Sequence, residues 1–258
     1  EIVKNINDAT ALENYEDEST SNNSQPILLL DDMNIAEPRE VISPTKLETY
    51  IDSPIEFIDK YILNIESIDN AIKTENYSQN GYIDIIPAAL RGTIIHQTME
   101  KISDWINDSF SIIEANLIKT LNDSLFRNEV SLTTIQFNEL KDECIYSANA
   151  DITQSILKNN TKIEFEKKFF LPYRSDYMNA VIDILYMDKN NDYHICDWKT
   201  NMIEDKKGLE SLIEHYSLQM KFYAYIVSFL NPNQNTFTAR LLFTRLAKDN
   251  QYSEDWTH

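Results

Sequence analysis

The sequence predicts an α/β fold: a mixed β-sheet core flanked by helices, with an additional helical region beside it. Three observations predict it. Residues 162–171 and 180–200 are rich in β-branched and aromatic residues, as strands are. Residues 43–160 carry apolar residues at helical spacing. A long amphipathic stretch, 208–230, precedes a last apolar run, 237–246, so strand and helix alternate through the second half.

The elements follow in order. Residues 1–42 read as an acidic linker or arm, with ten acidic residues against Lys4 and Arg39, a net of −8. Its one apolar run, Ile27–Leu30, could dock as a strand. The remainder, 43–258, reads as one domain with a helical part over about 43–160 and a sheet-and-helix part over about 161–258. Ser43-Pro44 is an N-cap followed by proline at the first helical position. Ser53-Pro54-Ile55-Glu56 repeats that signal as a capping box, and Phe57, Tyr61 and Ile62 follow at helical spacing. Pro87 opens a helix whose apolar stripe is Leu90, Ile94, Ile95, Met99, Ile102 and Trp105. Gly92 and His96, four apart, share one face of it. A glycine inside a helix costs about 1 kcal/mol relative to alanine, so Gly92 implies close approach of another backbone or a ligand. Helices are expected over 112–127 and over 132–158 with a break inside, acting as support. Residues 162–171 form a strand carrying Glu164 and Glu166. The hairpin follows, then a helix over 208–230 ended by Asn231-Pro232-Asn233, then a last strand over 237–246.

Composition excludes several classes. The 258 residues hold 23 Lys and Arg against 42 Asp and Glu, a net charge of −19, which is not that of a general polyanion binder. The region 158–221 is nearer balance, with ten bases and eleven acids, so a local track for a polyanion is possible there. Three glycines, Gly81, Gly92 and Gly208, leave no dinucleotide or Walker A loop. Cys144 and Cys196 show no CxxC spacing, which excludes a cysteine-built zinc site or iron–sulfur cluster and suits a reducing, cytoplasmic setting. No apolar run approaches the roughly 20 residues of a membrane span. The first residue is Glu, and the chain is expected to be part of a longer polypeptide.

The chemistry concentrates in the hairpin. Its turn lies at 188–192, and a ladder centred on Asn190 puts Asp183 directly opposite Asp197. Two opposed carboxylates in apolar strands repel unless a cation lies between them. Lys199, two residues past Asp197, points the same way. His96 and Glu166 are further candidates, the latter as an outer ligand or second-shell group. On the 208–230 helix, Tyr216, Gln219 and Tyr223 share one face. Carboxylates plus an imidazole suit Mg²⁺ or Mn²⁺. A lysine beside them can stabilise charge developing on a phosphate.

Four motifs then carry a resemblance: Arg91-Gly92-x-x-x-His96, Ile182-Asp183, Asp197-Trp198-Lys199-Thr200 and Tyr216-x-x-Gln219-x-x-x-Tyr223. In this order they resemble the RecB-like PD-(D/E)xK nucleases, and most closely the C-terminal nuclease domain of AddA/RecB-type helicase–nucleases. The resemblance covers roughly Ser43 to Leu246. It implies a restriction-endonuclease-like sheet and a Mg²⁺-dependent exonuclease acting on linear or single-stranded DNA, in double-strand break end processing and recombinational repair. It implies His96, Asp183, Asp197 and the Trp198 backbone carbonyl as metal ligands, with Lys199 orienting the attacking water. Gln219, Tyr223 and Tyr216 would position the DNA backbone. It implies upstream helicase domains, the seat of any ATP use, and a second AddB/RecC-like subunit. Ser53-Pro54 stands where iron–sulfur relatives have Cys-Pro, which groups this chain with the cluster-free members, and Ala180 replaces a common glycine. The alternative reading is a catalytically silent nuclease-fold module that binds DNA or a partner.

Overall fold

The computed structural model describes residues 40–65, 85–159, 162–234, 236–249 and 253–257. Most of the acidic arm, including Ile27–Leu30, lies outside the described residues. Val41–Ile42 form a short strand, β1.

Helix α1, Pro44–Asp52, begins as its sequence requires: Ser43 Oγ accepts from the Lys46 N–H at 3.2 Å, and Pro44 takes the first position. Helix α2, Pro54–Phe57, continues as a π turn, Ile58–Ile62. Ser53 caps it by accepting from the Glu56 N–H at 3.3 Å. The expected box is only half formed there, because the Ser53 N–H is already given to the Thr49 carbonyl of α1 at 3.0 Å. The stripe from Leu90 to Trp105 is not one helix. Helix α3 covers Ala88–Met99 and α4 covers Ile102–Trp105. The bend between them lets the Trp105 indole donate to the Thr98 carbonyl at 3.1 Å. Helices α5, Glu114–Arg127, α6, Thr134–Asn149, and α7, Asp151–Asn159, complete the helical part, with the expected break at Ala150. A full capping box, Thr133 with Gln136, opens α6.

The strands are β2, Lys162–Tyr173, β3, Asp176–Met187, and β4, Tyr193–Lys199. The long helix α8, Lys206–Ser228, is capped by Asp205. Strand β5, Thr238–Phe243, stops short of the expected Leu246, because Thr244–Asp249 turn into a 3₁₀ helix. A further strand, β6, Ser253–Thr257, was not foreseen from the sequence. Among the described residues six strands form one mixed sheet. β2 runs antiparallel along one edge of β3. The other edge of β3 takes β1, in parallel at Tyr177 and Met178, and then β4, antiparallel from Ile184 onward. β5 joins β4 in parallel and β6 closes antiparallel on β5.

Each face of the sheet has its own core. Helix α8 covers one face, with Met220, Ile226 and Val227 against Ile182, Leu185, Ile195 and Leu241. Helices α3, α5 and α6 cover the other, with Ile94, Ile95, Leu121 and Leu140 against Ile184, Cys196 and Leu242. The alternation of β3 changes phase at Asp183: Met178, Ala180 and Ile182 face α8, but so does Leu185, while Ile184 faces α3. β2 does the same around Glu166, with Phe165 on the α3 side and Phe169 on the α8 side. Glu166 has φ of 49°, a left-handed conformation that glycine favours and glutamate rarely adopts. The shift occurs in both strands at the same level, so the register is the same on either side of it. Among the described residues no helix is long and apolar enough to cross a membrane.

Candidate active site

The irregular point of the ladder is where the polar residues meet. β3 pairs with β4 as far as Ile184 and Cys196, one step short of the Asp183–Asp197 pairing that a turn centred on Asn190 predicts. The formal pairing ends there because the Asp183 side chain intervenes: its Oδ2 accepts from the Trp198 N–H at 2.7 Å. The same oxygen lies 3.2 Å from His96 Nδ1, contributed by α3 from the opposite layer. Across the other edge, Glu166 stands at the level of Asp183, skipped by the ladder on either side of it. His96, Glu166 and Asp183 each offer a ligand atom, and these atoms lie within 4.8 Å of one another. Spacing and donor type both fit a hard divalent cation.

Asp197 is 2% exposed. Its Oδ2 lies 2.6 Å from Lys199 Nζ. Lys199 Nζ also donates to Gln219 Oε1 at 2.8 Å and lies 3.8 Å from the centre of the Tyr216 ring. Gln219 Nε2 donates to the Tyr223 hydroxyl at 2.7 Å, and the Tyr216 hydroxyl donates to Asn201 at 3.0 Å. The stripe on α8 therefore closes around the lysine. Tyr223 is 5% exposed, and its ring belongs to the core beneath the site.

The electrostatics follow from this crowding. Burial pushes the Glu166 carboxyl up to about 7, with the Asp183 and Glu100 charges adding to it. Burial raises Asp197 as well, against the lowering effect of Lys199. Burial disfavours the charge on His96, but the hydrogen bond to Asp183 together with the Asp183 and Asp197 charges outweighs this and the imidazole is raised. Burial likewise opposes the Lys199 charge, and Asp197 more than restores it.

Gly92 lies where the sequence anticipates a close approach. A Cβ there would stand 3.1 Å from Thr200 Oγ1, at the end of β4. The nearest atom is a side-chain hydroxyl rather than a backbone atom, and Gly92 itself lines the cavity beside the cluster.

Several residues of the site escaped sequence reasoning. Arg91 forms a buried ion pair with Glu143 of α6, which also accepts from the Thr244 hydroxyl. Thr244 in turn reaches the Lys199 carbonyl at 3.3 Å. This chain ties the helical layer to the end of β4. The spacing of Arg91 and Glu143, 52 residues apart, gives no local signal of it. Glu48 of α1 is near enough to feel the charges of Lys199 and Asp197, and burial raises its carboxyl. It shares a short helix with Asp52, and no pattern singles it out. A cavity of about 560 Å³ opens beside the cluster, lined among others by His96, Trp198, Lys199, Asn201, Tyr216 and Arg245.

Residues 41–255 match the family described as the PD-(D/E)XK nuclease superfamily. Among curated proteins, the RecBCD enzyme subunit RecB of Chlamydia muridarum is 25% identical over 146 residues, covering 54% of this chain. The matched part is 13% of the length of that relative. Two solved structures overlap loosely. SSO0001 is 12% identical with a TM-score of 0.29, covering 66% of this chain and 77% of its own. Protein VC1899 from Vibrio cholerae is 12% identical with a TM-score of 0.24, covering 64% and 49%.

Proposed function

This chain belongs to the PD-(D/E)XK nuclease superfamily, as a RecB-like nuclease domain, and from that premise we propose that it is a metal-dependent deoxyribonuclease. The observation that carries the reading is the convergence of His96, Glu166 and Asp183 on one point, with the Asp197–Lys199 pair beside it. We assign the cation to His96, Asp183, Asp197 and the Trp198 carbonyl, and add Glu166 as a direct ligand rather than an outer one. A Mg²⁺ or Mn²⁺ ion held by these residues would supply the positive charge that polarises the scissile phosphate and acidifies the attacking water. The protein's own groups do the rest. Lys199, fixed by Asp197 and Gln219, holds its ammonium towards the negative charge developing on the phosphate and orients the water. Gln219 and the buried Tyr223 act through Lys199. Tyr216, on the cavity wall, is the one of the three that touches the DNA backbone.

We extend the proposal to an exonuclease acting on linear or single-stranded DNA within a helicase–nuclease for break processing and recombinational repair, partnered by helicase domains and an AddB/RecC-like subunit. The RecB similarity supports this extension. Cys144 and Cys196 are buried and not joined in a disulfide, which supports a cytoplasmic setting.

The test is cleavage of linear and single-stranded DNA by the full-length protein with its partner in Mg²⁺ or Mn²⁺. Asp197→Ala is expected to abolish cleavage, and Lys199→Ala to lower kcat by about 10²–10³-fold. Intact DNA at every metal concentration, with DNA binding retained, would instead identify a silent nuclease-fold module.

A further inference from the structure

We propose that Arg245 is a substrate-binding residue that holds a non-scissile phosphate, one adjoining the phosphate being hydrolysed. The inference rests on the nuclease reading above and names a contact that reading does not include. Arg245 follows β5 by two residues, in the 3₁₀ turn Thr244–Asp249. Thr244 is buried and anchored to Glu143 and to the Lys199 carbonyl, so the turn is fixed against the end of β4. This carries Arg245 to the wall of the 560 Å³ cavity whose lining includes His96 and Lys199. The same cavity is thus bounded by the hydrolytic cluster and by a guanidinium.

Arg245 feels the charges of Glu143 and Glu139 but forms no ion pair with either. Arg91, the nearby arginine, is neutralised by the buried Glu143. Among the described residues no carboxylate lies within ion-pair distance of Arg245, and its Nε–H is buried without an acceptor. A second such donor is present: Trp198 lines the same cavity, and its Nε1–H is also buried without an acceptor. A half-buried guanidinium on the cavity wall, with no ion pair among the described residues, suits an anionic ligand rich in oxygens. A guanidinium pairs with phosphate through parallel N–H bonds. The scissile phosphate belongs to Lys199 and the cation, which leaves a neighbouring phosphate of the same strand for Arg245.

The experiment uses full-length protein and oligonucleotides with one neutral methylphosphonate placed in turn at each position flanking the cut. Cleavage in Mn²⁺ and binding by fluorescence anisotropy without metal are both read. For the wild type, one position is expected to weaken binding and raise KM about 10- to 100-fold. Arg245→Ala is expected to impose a similar rise in KM with kcat little changed, and to become insensitive to the methylphosphonate at that position. Arg245→Lys should recover part of the loss, since it restores the charge. A matching thermal unfolding midpoint for Arg245→Ala separates lost binding from lost folding, and Arg245→Gln serves if alanine does not fold. Wild-type KM in Arg245→Ala, or unchanged sensitivity at every position, overturns the proposal. If the wild type binds DNA but cuts none, the nuclease reading falls, and the anisotropy scan decides the role of Arg245 alone.

Discussion

Glu166 faces Asp183 across the broken point of the ladder, and burial with the two nearby carboxylates pushes it up to about 7. Its ordinary value is 4.5. The folded state therefore holds this proton more tightly than the unfolded chain does. In the absence of divalent cation, the stability it contributes is present below about 4.5 and is lost as pH rises through about 7. A cation must displace the same proton. Mn²⁺ affinity measured by calorimetry is expected to climb between pH 6 and pH 8 and then level off. Glu166→Gln should weaken binding and flatten the climb. A flat profile in the wild type would remove Glu166 from the ligand set. Asp183 and Asp197 stand out in the sequence as carboxylates in apolar strands on either side of a turn, although the regular pairing that a two-residue period and a turn centre predict stops at Ile184 and Cys196. The role of Glu166 does not, since it depends on a φ of 49° that nothing in Lys-Ile-Glu-Phe-Glu-Lys announces.

At the scale of elements, the helical part is fastened to the end of β4 by Arg91, Glu143 and Thr244. Both partners of the pair are largely buried, with side-chain exposures of 14% and 7%. Removing one partner of such a pair leaves an uncompensated charge and costs about 3–5 kcal/mol. Arg91→Met should lower the unfolding free energy by that amount, and Arg91→Met with Glu143→Leu should recover much of it. Equal losses in the single and double variants would show that the pair is not what holds the layers together. Helix starts and stops were largely legible, because Ser43, Pro44, Ser53, Pro54, Pro87 and Asn231-Pro232 act locally. The bend after Met99 was not, since it serves the fit of Trp105 under Thr98. The end of β5 was hidden for the same reason: Thr244-Arg245-Leu246 continues the apolar pattern, but the Thr244 hydroxyl turns the backbone toward Glu143.

For the whole molecule, a net charge of −19 sets how DNA is met. Long-range attraction is absent, so affinity must come from a few local cations such as Lys199 and Arg245. Neutralising two or three phosphates of a single strand gives a salt slope of about −2 in log–log form. Titrations of single-stranded DNA between low and moderate salt should show that shallow slope with weak absolute affinity. A much steeper slope would mean a basic track elsewhere in the full-length protein.

The order in which the site is assembled has a consequence for the protein as it is made. His96 lies on α3, the carboxylates on β2, β3 and β4, and the side chains that fix Lys199 on α8. The ribosome delivers about 5–20 residues per second. The stretch from His96 to Tyr223 thus takes several seconds to emerge. Helical pieces can form early, but β3 and β4 can pair only after β4 has been released, and non-local pairings of this kind are slow to close. The candidate site is therefore among the last parts of the chain to be assembled, complete only when α8 has docked and Gln219 has met Lys199.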